Sequence, residues 1–222
     1  MSRACSLCRS ENIEVFSKFD EKIFGEFRPR LYFCCRQCYL IFLAPEMRLE
    51  AQTEKNRYVS HENNEGDVGY LKFLNQIITP LEINLSNGAN GLDFGCGPNP
   101  VLAKLLVKKK FQMNFYDPFF FPDQAVFKFK YDFVTCTEVL EHVYDLESTV
   151  DMILSLLKPK GIFGFMTSLY NPKIDFKNWT YRRDDTHVHF FQKETLEYLL
   201  RSRNLKPAFS DDKKVFIFQK ND

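Results

Sequence analysis

Cys5-Ser-Leu-Cys8 and Cys35-Arg-Gln-Cys38 are two C-x-x-C pairs separated by 26 residues. Each pair can set two thiolates on one tight turn. Two such turns facing each other supply a closed, tetrahedral four-sulfur shell for a structural zinc ion. The separation exceeds the roughly 15–20 residues usual for the motif, and an inserted hairpin would absorb the excess. Phe16–Phe24 and Phe27–Phe33 read as its two strands, around Gly25. Cys35 is the expected ligand rather than Cys34, because only Cys35 stands two residues from Cys38. The competing reading is a set of reduced, buried cysteines with no metal.

A second concentration of chemistry is Trp179-Thr-Tyr-Arg-Arg-Asp-Asp-Thr-His-Val-His-Phe190. Trp179 and Tyr181 are suited to wall a substrate pocket, and Arg182 or Arg183 to grip a carboxylate or phosphate. His187 and His189 have period-two spacing and would point the same way along an extended chain. One is a candidate general base; two histidines and an aspartate could instead hold a catalytic metal. The competing reading is a solvated ion-pair loop. His142 is a third candidate, against an ordinary structural histidine in a turn. Asn56–Asn64, with His61, is either a ligand-binding stretch or a plain connector.

These residues need a frame. A helix is expected over Asp67–Leu81, where Tyr70, Leu71, Phe73, Leu74, Ile77 and Ile78 recur at helical spacing and Pro80 marks the end. Gly91-Leu-Asp-Phe-Gly-Cys-Gly-Pro-Asn-Pro100 reads as a short strand, a glycine turn and the start of a helix over Val101–Lys109. That layout lets a ligand approach the backbone closely. It is neither G-x-G-x-x-G nor a P-loop. Strands are expected at Phe111–Tyr116, Tyr131–Cys136 and Ile162–Met166, with a helix over 146–157. A helix at Gln192–Arg203 and strands at Lys206–Phe209 and Lys214–Gln219 follow. Alternating strands and helices imply a mainly parallel sheet with ligands at its carboxyl ends.

Leu92-Asp-Phe-Gly-Cys-Gly97, Asp117, Tyr131-Asp-Phe-Val134, Glu138-Val-Leu-Glu-His-Val143 and Leu157-Lys-Pro-Lys-Gly-Ile162 occur in that order. Together they resemble the class I S-adenosylmethionine-dependent methyltransferases. A zinc ribbon ahead of such a domain resembles a subgroup of bacterial methyltransferases that includes sugar C-methyltransferases. The resemblance implies an α/β, Rossmann-like sheet, mostly parallel with one antiparallel strand, preceded by the ribbon. The expected divisions are 1–45, a connector with a leading helix at 46–80, and the methyltransferase domain at 81–222. It further implies that Asp93 lies near the cofactor's amino-acid end and that Gly95, Cys96 and Gly97 form the turn past it. Asp117 would hold the ribose diol, with Pro118 and Phe119 beside it. Thr137, Glu138 and the residues up to His142 would line the methionine end. The chain departs from the family in one place: only 14 residues separate Asp117 from Asp132. Gln124–Lys130 is read as the remnant of a third strand, and Asp123 as a substitute for the missing adenine-binding acid. Phe119-Phe-Phe121 either covers the adenine or fills a shortened sheet edge.

The implied reaction is methyl transfer by in-line displacement to a small polar, possibly anionic, acceptor. His187, His142 and Tyr181 are the catalytic candidates, and Trp179, Arg182, Arg183 and His189 the substrate-binding ones. The alternatives are a non-catalytic cofactor-binding scaffold, or a methyltransferase acting on tRNA or protein. Thirty Lys plus Arg against 29 Asp plus Glu leave a formal +1. Four thiolates and one Zn²⁺ would make it −1, which argues against a nucleic-acid partner. No apolar run has membrane-spanning length, and the N-terminus has no signal-peptide stretch. A reducing cytoplasm is the expected location, in keeping with cysteine pairs that bind metal.

Overall fold

The computed structural model describes residues 3–23, 26–59 and 64–222. The expected turn at Gly25, and His61 in the polar connector, lie outside them. An antiparallel hairpin comes first: β1 (Ile13–Ile23) pairs with β2 (Glu26–Cys35), with a bulge between Val15 and Ser17. β3 (Ile41–Leu43) adds to β2, and α1 (Ala51–Val59) follows.

α2 (Val68–Asn84) opens on Asp67, whose side chain accepts the Tyr70 N–H at 3.1 Å. Its buried face is Leu74, Ile77, Ile78 and Leu81, an apolar stripe at helical spacing. The helix does not stop at Pro80 as expected but runs on to Asn84. A proline inside a helix forfeits one backbone hydrogen bond. Here buried Ile77, Ile78 and Leu81 on either side hold the segment to the sheet, and the Asn84 amide donates to the Pro80 carbonyl at 2.8 Å.

Six strands form the main sheet. They are β4 (Asn90–Phe94), β5 (Gln112–Tyr116), β6 (Tyr131–Thr137), β7 (Leu157–Met166), β9 (Leu205–Ser210) and β10 (Val215–Lys220). Their spatial order is β5-β4-β6-β7-β10-β9. β4 is parallel to β5 and β6, and β6 to β7, whereas β10 runs antiparallel to both its neighbours. This is the expected α/β sheet with one antiparallel strand. α2 and α3 (Val101–Lys108) cover one face; α4 (Leu146–Leu156) and α5 (Lys193–Ser202) cover the other.

There is no strand between Asp117 and β6. Gln124–Lys128 is a short 3-10 turn, and Asp123 caps it by accepting the Ala125 N–H at 2.9 Å. The expected strand remnant is therefore a turn, and Asp123 is spent on capping it. β5 is the edge of the sheet. Phe121 closes that edge by bridging to Asp117 and setting its ring 5.0 Å from Phe115.

The N-terminal segment is tied to the rest by strand pairing. β8 (His189–Phe190) joins β3, completing a second sheet of order β1-β2-β3-β8. Leu7, Cys35 and Cys38 are buried in the same core as Phe163, Phe165 and Leu196. The expected division at residue 45 thus runs through a shared sheet and a shared core. Among the described residues, no helix is long and apolar enough to cross a membrane.

Candidate functional site

The carboxyl ends of β4, β5 and β6 open on a cavity of about 1220 Å³. The glycine turn forms one side of it. Gly95 and Gly97 have φ of 78° and 68°, the left-handed region that glycine enters without steric cost. A side chain at 95 would strike Val139, with Cγ2 only 2.4 Å away. At Gly97 nothing lies within 4 Å of where a side chain would start, so its backbone faces open cavity. That leaves room for a ligand to lie against the main chain.

Two acids bracket the turn. Asp93 is buried at the end of β4 and accepts a 2.9 Å hydrogen bond from the Thr135 hydroxyl. Burial pushes its carboxyl up to about 6, against the pull of that hydrogen bond. Asp117 follows β5. Its Oδ2 accepts the Gly97 N–H at 3.0 Å, and its Oδ1 accepts the N–H groups of Phe119 and Phe120 at 2.9 and 3.1 Å. Asp117 therefore shapes the turn as well as lining the cavity.

The opposite side is built from the turn after β6 and the segment 179–187. Glu138 sits at φ 52°, an uncommon angle for a residue with a side chain. Glu141 is fully buried. Tyr181 donates its hydroxyl to Glu141 Oε1 at 2.5 Å, and Thr167 Oγ1 lies 2.9 Å from the same hydroxyl. Burial, then the Glu138 charge, hold the Glu141 carboxyl well above the usual carboxylate range. Burial, then Glu141, raise the Tyr181 phenol, so it stays protonated and donates. The His142 and His187 rings are 4.6 Å apart. His142 Nδ1 lies 3.2 Å from the Thr186 carbonyl, and His187 Nδ1 2.6 Å from the Tyr181 carbonyl. A carbonyl only accepts, so each Nδ1 carries a proton. Tyr70, Phe73, Phe120 and Trp179 add aromatic walls.

The family described as "Methyltransferase domain" matches residues 65–208, well over half of the chain. This chain belongs to that family. It is 36% identical over 88 residues to a ubiquinone biosynthesis O-methyltransferase of Cronobacter sakazakii, which covers 39% of this chain and 36% of the relative. The enzyme of the same name from Pseudomonas syringae pv. syringae is 35% identical over 88 residues, covering 40% and 31%. The match thus spans about a third of the length of these curated relatives. Burkholderia thailandensis 1,6-didemethyltoxoflavin-N1-methyltransferase was solved with bound 1,6-didemethyltoxoflavin and S-adenosylhomocysteine. It aligns with a TM-score of 0.58 at 17% identity, over 91% of this chain and 99% of that one. That likeness is one of fold.

The methyltransferase domain gathers most of the residues singled out in the sequence around one cavity. Asp93, Gly95, Cys96, Gly97, Asp117, Pro118, Phe119, Thr137 and Glu138 line it, and so do His142, Trp179, Tyr181 and His187. The phenylalanine run divides: Phe119 and Phe120 face the cavity, whereas Phe121 fills the sheet edge.

Three expected substrate contacts lie elsewhere. Arg182 turns away from the cavity and is buried against the hairpin. It makes a two-pronged ion pair with Glu21 of β1, donates to the Lys177 carbonyl at 2.6 Å and covers the Phe19 ring. Arg183 is exposed and outside the lining. His189 does not point with His187, because the chain turns at Asp184–His187 before β8 begins. It is buried, with Nδ1 3.4 Å from the Leu140 carbonyl and Nε2 2.6 Å from Ser6 Oγ. Burial lowers its pKa to about 3, so the ring is neutral and accepts from the Ser6 hydroxyl. Glu141 lies within the stretch Thr137–His142 and is the buried acid of it that the sequence does not single out. Its signal was an acid three residues after Glu138 and next to His142.

Outside the cavity lining, the thiols of Cys5, Cys8, Cys35 and Cys38 all lie within 4.8 Å of one another. Two of the contacts, Cys5–Cys38 and Cys8–Cys35, are 3.4 and 3.5 Å. A zinc tetrahedron with Zn–S near 2.3 Å has sulfur–sulfur edges of about 3.8 Å, so the donor set and its size fit that ion. The N–H groups of Leu7 and Gln37 point at Cys5 and Cys35 at 3.5 and 3.4 Å, helping to hold thiolate charge. Cys34 turns instead towards the Tyr39 carbonyl.

Proposed function

We propose that this chain transfers a methyl group from S-adenosylmethionine to a hydroxyl of a small polar acceptor. The observation that carries the reading is that the open Gly97 backbone, Tyr181 (held from behind by buried Glu141) and His187 face one cavity. The cofactor supplies the electrophilic methyl group. Asp93, the 95–97 turn and Asp117 bind and orient it, and Phe119 and Phe120 cover its flat end. Trp179 and Tyr181 pack against the acceptor. With Arg182 engaged by Glu21 and Arg183 outside the cavity, the arginines no longer speak for an anionic acceptor. Aromatic walls and a buried acid–histidine group suit a neutral, hydroxyl-bearing ring. Oxygen as the methylated atom accords with the printed names of the O-methyltransferases matched over residues within this domain.

In-line transfer needs positioning and exclusion of water. It also needs the acceptor's proton removed, which falls to the cavity-lining pair His142 and His187. Cell extract incubated with the protein and S-adenosylmethionine, followed by mass spectrometry, should yield a molecule heavier by one methyl group. Tyr181→Phe and His187→Gln should lower that turnover about 10²-fold or more while leaving cofactor affinity unchanged. Unaltered turnover in both would remove this cluster from the chemistry.

A further inference from the structure

The cavity has an uneven charge lining. Glu54, Asp93, Asp117, Glu138 and Asp184 are its acids, and Lys214 is the one lysine or arginine among the described residues that line it. Lys214 is fixed at both ends. Its N–H donates to Asp211 Oδ1 at 2.7 Å and its carbonyl accepts the Thr167 N–H at 3.1 Å, which sets it beside the carboxyl end of β7, just before β10. Its ammonium lies 5.2 Å from the centre of the Phe73 ring of α2, a cation–π contact. The lysine ion pairs among the described residues belong to Lys104, Lys108, Lys109, Lys158 and Lys160, so Lys214 has none there. Glu138 faces it from the turn after β6. Burial raises the Glu138 carboxyl, and the Lys214 charge is the largest influence pulling the other way. Glu138 Oε1 is buried with no hydrogen-bond partner, a costly state for a carboxyl oxygen. One unmet cation and one unmet acceptor thus face each other in the cavity wall.

We propose that Lys214 is the counter-ion of the cofactor's methionine carboxylate and Glu138 the acceptor for its ammonium, a pair that reads the zwitterionic end of the molecule. S-adenosylmethionine carries two positive groups, the sulfonium and the ammonium, and one negative group, the carboxylate. An acidic lining favours the cations and repels the carboxylate, and the repulsion is strong where water is excluded. Lys214 is the cation in the lining that offsets it. The glycine turn cannot, because residues 93–97 contain an acid and no basic side chain. Arg182 is committed to Glu21, and Arg183 lies outside the lining. The Tyr70 ring stacks on Phe73 at 6.1 Å with 15° between planes, so α2 braces the ring that carries the lysine. The consequence is selectivity. A nucleoside thioether without the amino-acid end can still lie against the glycine turn, but it forfeits both charge-assisted hydrogen bonds. In the sequence Lys214 is only the first residue of an expected strand, with no motif to mark it.

This charge pair rests on the methyl-transfer reading and is tested by binding, without turnover. The full chain is titrated by calorimetry with S-adenosylhomocysteine, with its decarboxylated analogue, and with methylthioadenosine, which lacks the amino-acid end. The parent should prefer S-adenosylhomocysteine to the decarboxylated analogue by about tenfold or more, and Lys214→Gln should erase that preference. Methylthioadenosine should bind parent and variant alike, which also shows that the variant is folded. Glu138→Gln should weaken the decarboxylated analogue, which keeps the ammonium, by about tenfold and leave methylthioadenosine unchanged. Should Lys214→Gln fail to fold, Lys214→Met takes its place, since it keeps an unbranched stem over Phe73. A preference that survives in the folded Lys214 variant overturns the assignment. So does methylthioadenosine weakened there as much as S-adenosylhomocysteine, or undiminished binding of the decarboxylated analogue in Glu138→Gln. If the parent binds none of the three, the cofactor reading itself falls, and this pair with it.

Discussion

Asp93 is held at a cost. Its carboxyl is fully buried, has Thr135 as a hydroxyl donor, and is pushed from 3.8 up to about 6 by burial. Because the folded pKa exceeds the unfolded one, the native state binds the proton more tightly between those two values. Stability therefore falls as pH rises from about 4 to about 6, and the full penalty persists above pH 6. That gap corresponds to at most roughly 3 kcal/mol. Asp93→Asn keeps the shape and can still accept from Thr135. It should raise the melting temperature at pH 7 by an amount equivalent to about 1–3 kcal/mol. The gain should disappear near pH 4, where parent and variant are both neutral, and cofactor affinity should fall. A destabilised variant at pH 7 would show that Asp93 has a charged partner in the fold. Such a cost at a cavity-lining residue is what a trade between stability and function would leave.

At the scale of elements, the cysteine turns, β8 and the turn after β6 act as one unit. Ser6 stands between Cys5 and Cys8 and donates to His189. The N–H groups of Val188 and His189 both donate to the Glu141 carbonyl, at 2.8 and 3.0 Å. Glu147 N–H donates to the Ser6 carbonyl, and Arg9 pairs with Asp145 and Glu147 at the start of α4. The four-thiol site thus buttresses the backbone that presents Glu141. Purified protein should carry one zinc per chain, and a chelator should unprotect the amides of residues 3–45 first and those of Val188 and His189 next, read by hydrogen exchange. Ser6→Ala should cost about 1–3 kcal/mol, because it strands a buried imidazole nitrogen. Zinc far below one per chain, or unchanged protection after chelation, would contradict this. Element positions were largely legible beforehand, since strand–turn–helix alternation is written in apolar period and glycine placement. The errors fell where long-range contact decides. Pro80 is carried through by packing on the sheet; Gln124–Lys128 is the exception, wound into a turn by the local cap of Asp123. β8 is two residues long and exists only because β3 is there to pair with it.

For the whole molecule, two sheets share a core, and the hairpin folds back over the segment that walls the cavity. Arg182–Glu21 and Arg30–Asp185 are the buried or half-buried ion pairs that fasten that fold-back. This explains which site residues could be read in advance. Asp93, Gly95, Gly97 and Asp117 lie within one β–α–β run, β4–α3–β5 and its end, so their spacing places them at one end of the sheet. Arg182, Arg183 and His189 looked like ligand contacts because of their types. Arg182 is taken by Glu21 of the hairpin, 161 residues earlier, and His189 by Ser6, 183 residues earlier, and nothing local records that. Glu141 differs: its type and its place between Glu138 and His142 are visible in the sequence, but its complete burial is not.

The central claim is that the Gly95–Gly97 turn and its two acids hold S-adenosylmethionine. Calorimetric titration of the full chain with S-adenosylhomocysteine tests it most directly. The account predicts one site per chain, with affinity in the ~1 μM to 1 mM span of ordinary enzyme–substrate binding, and its loss in Gly97→Val, where a branched side chain would occupy the open backbone. No heat of binding at millimolar ligand, or undiminished binding in a folded Gly97→Val chain, would contradict it.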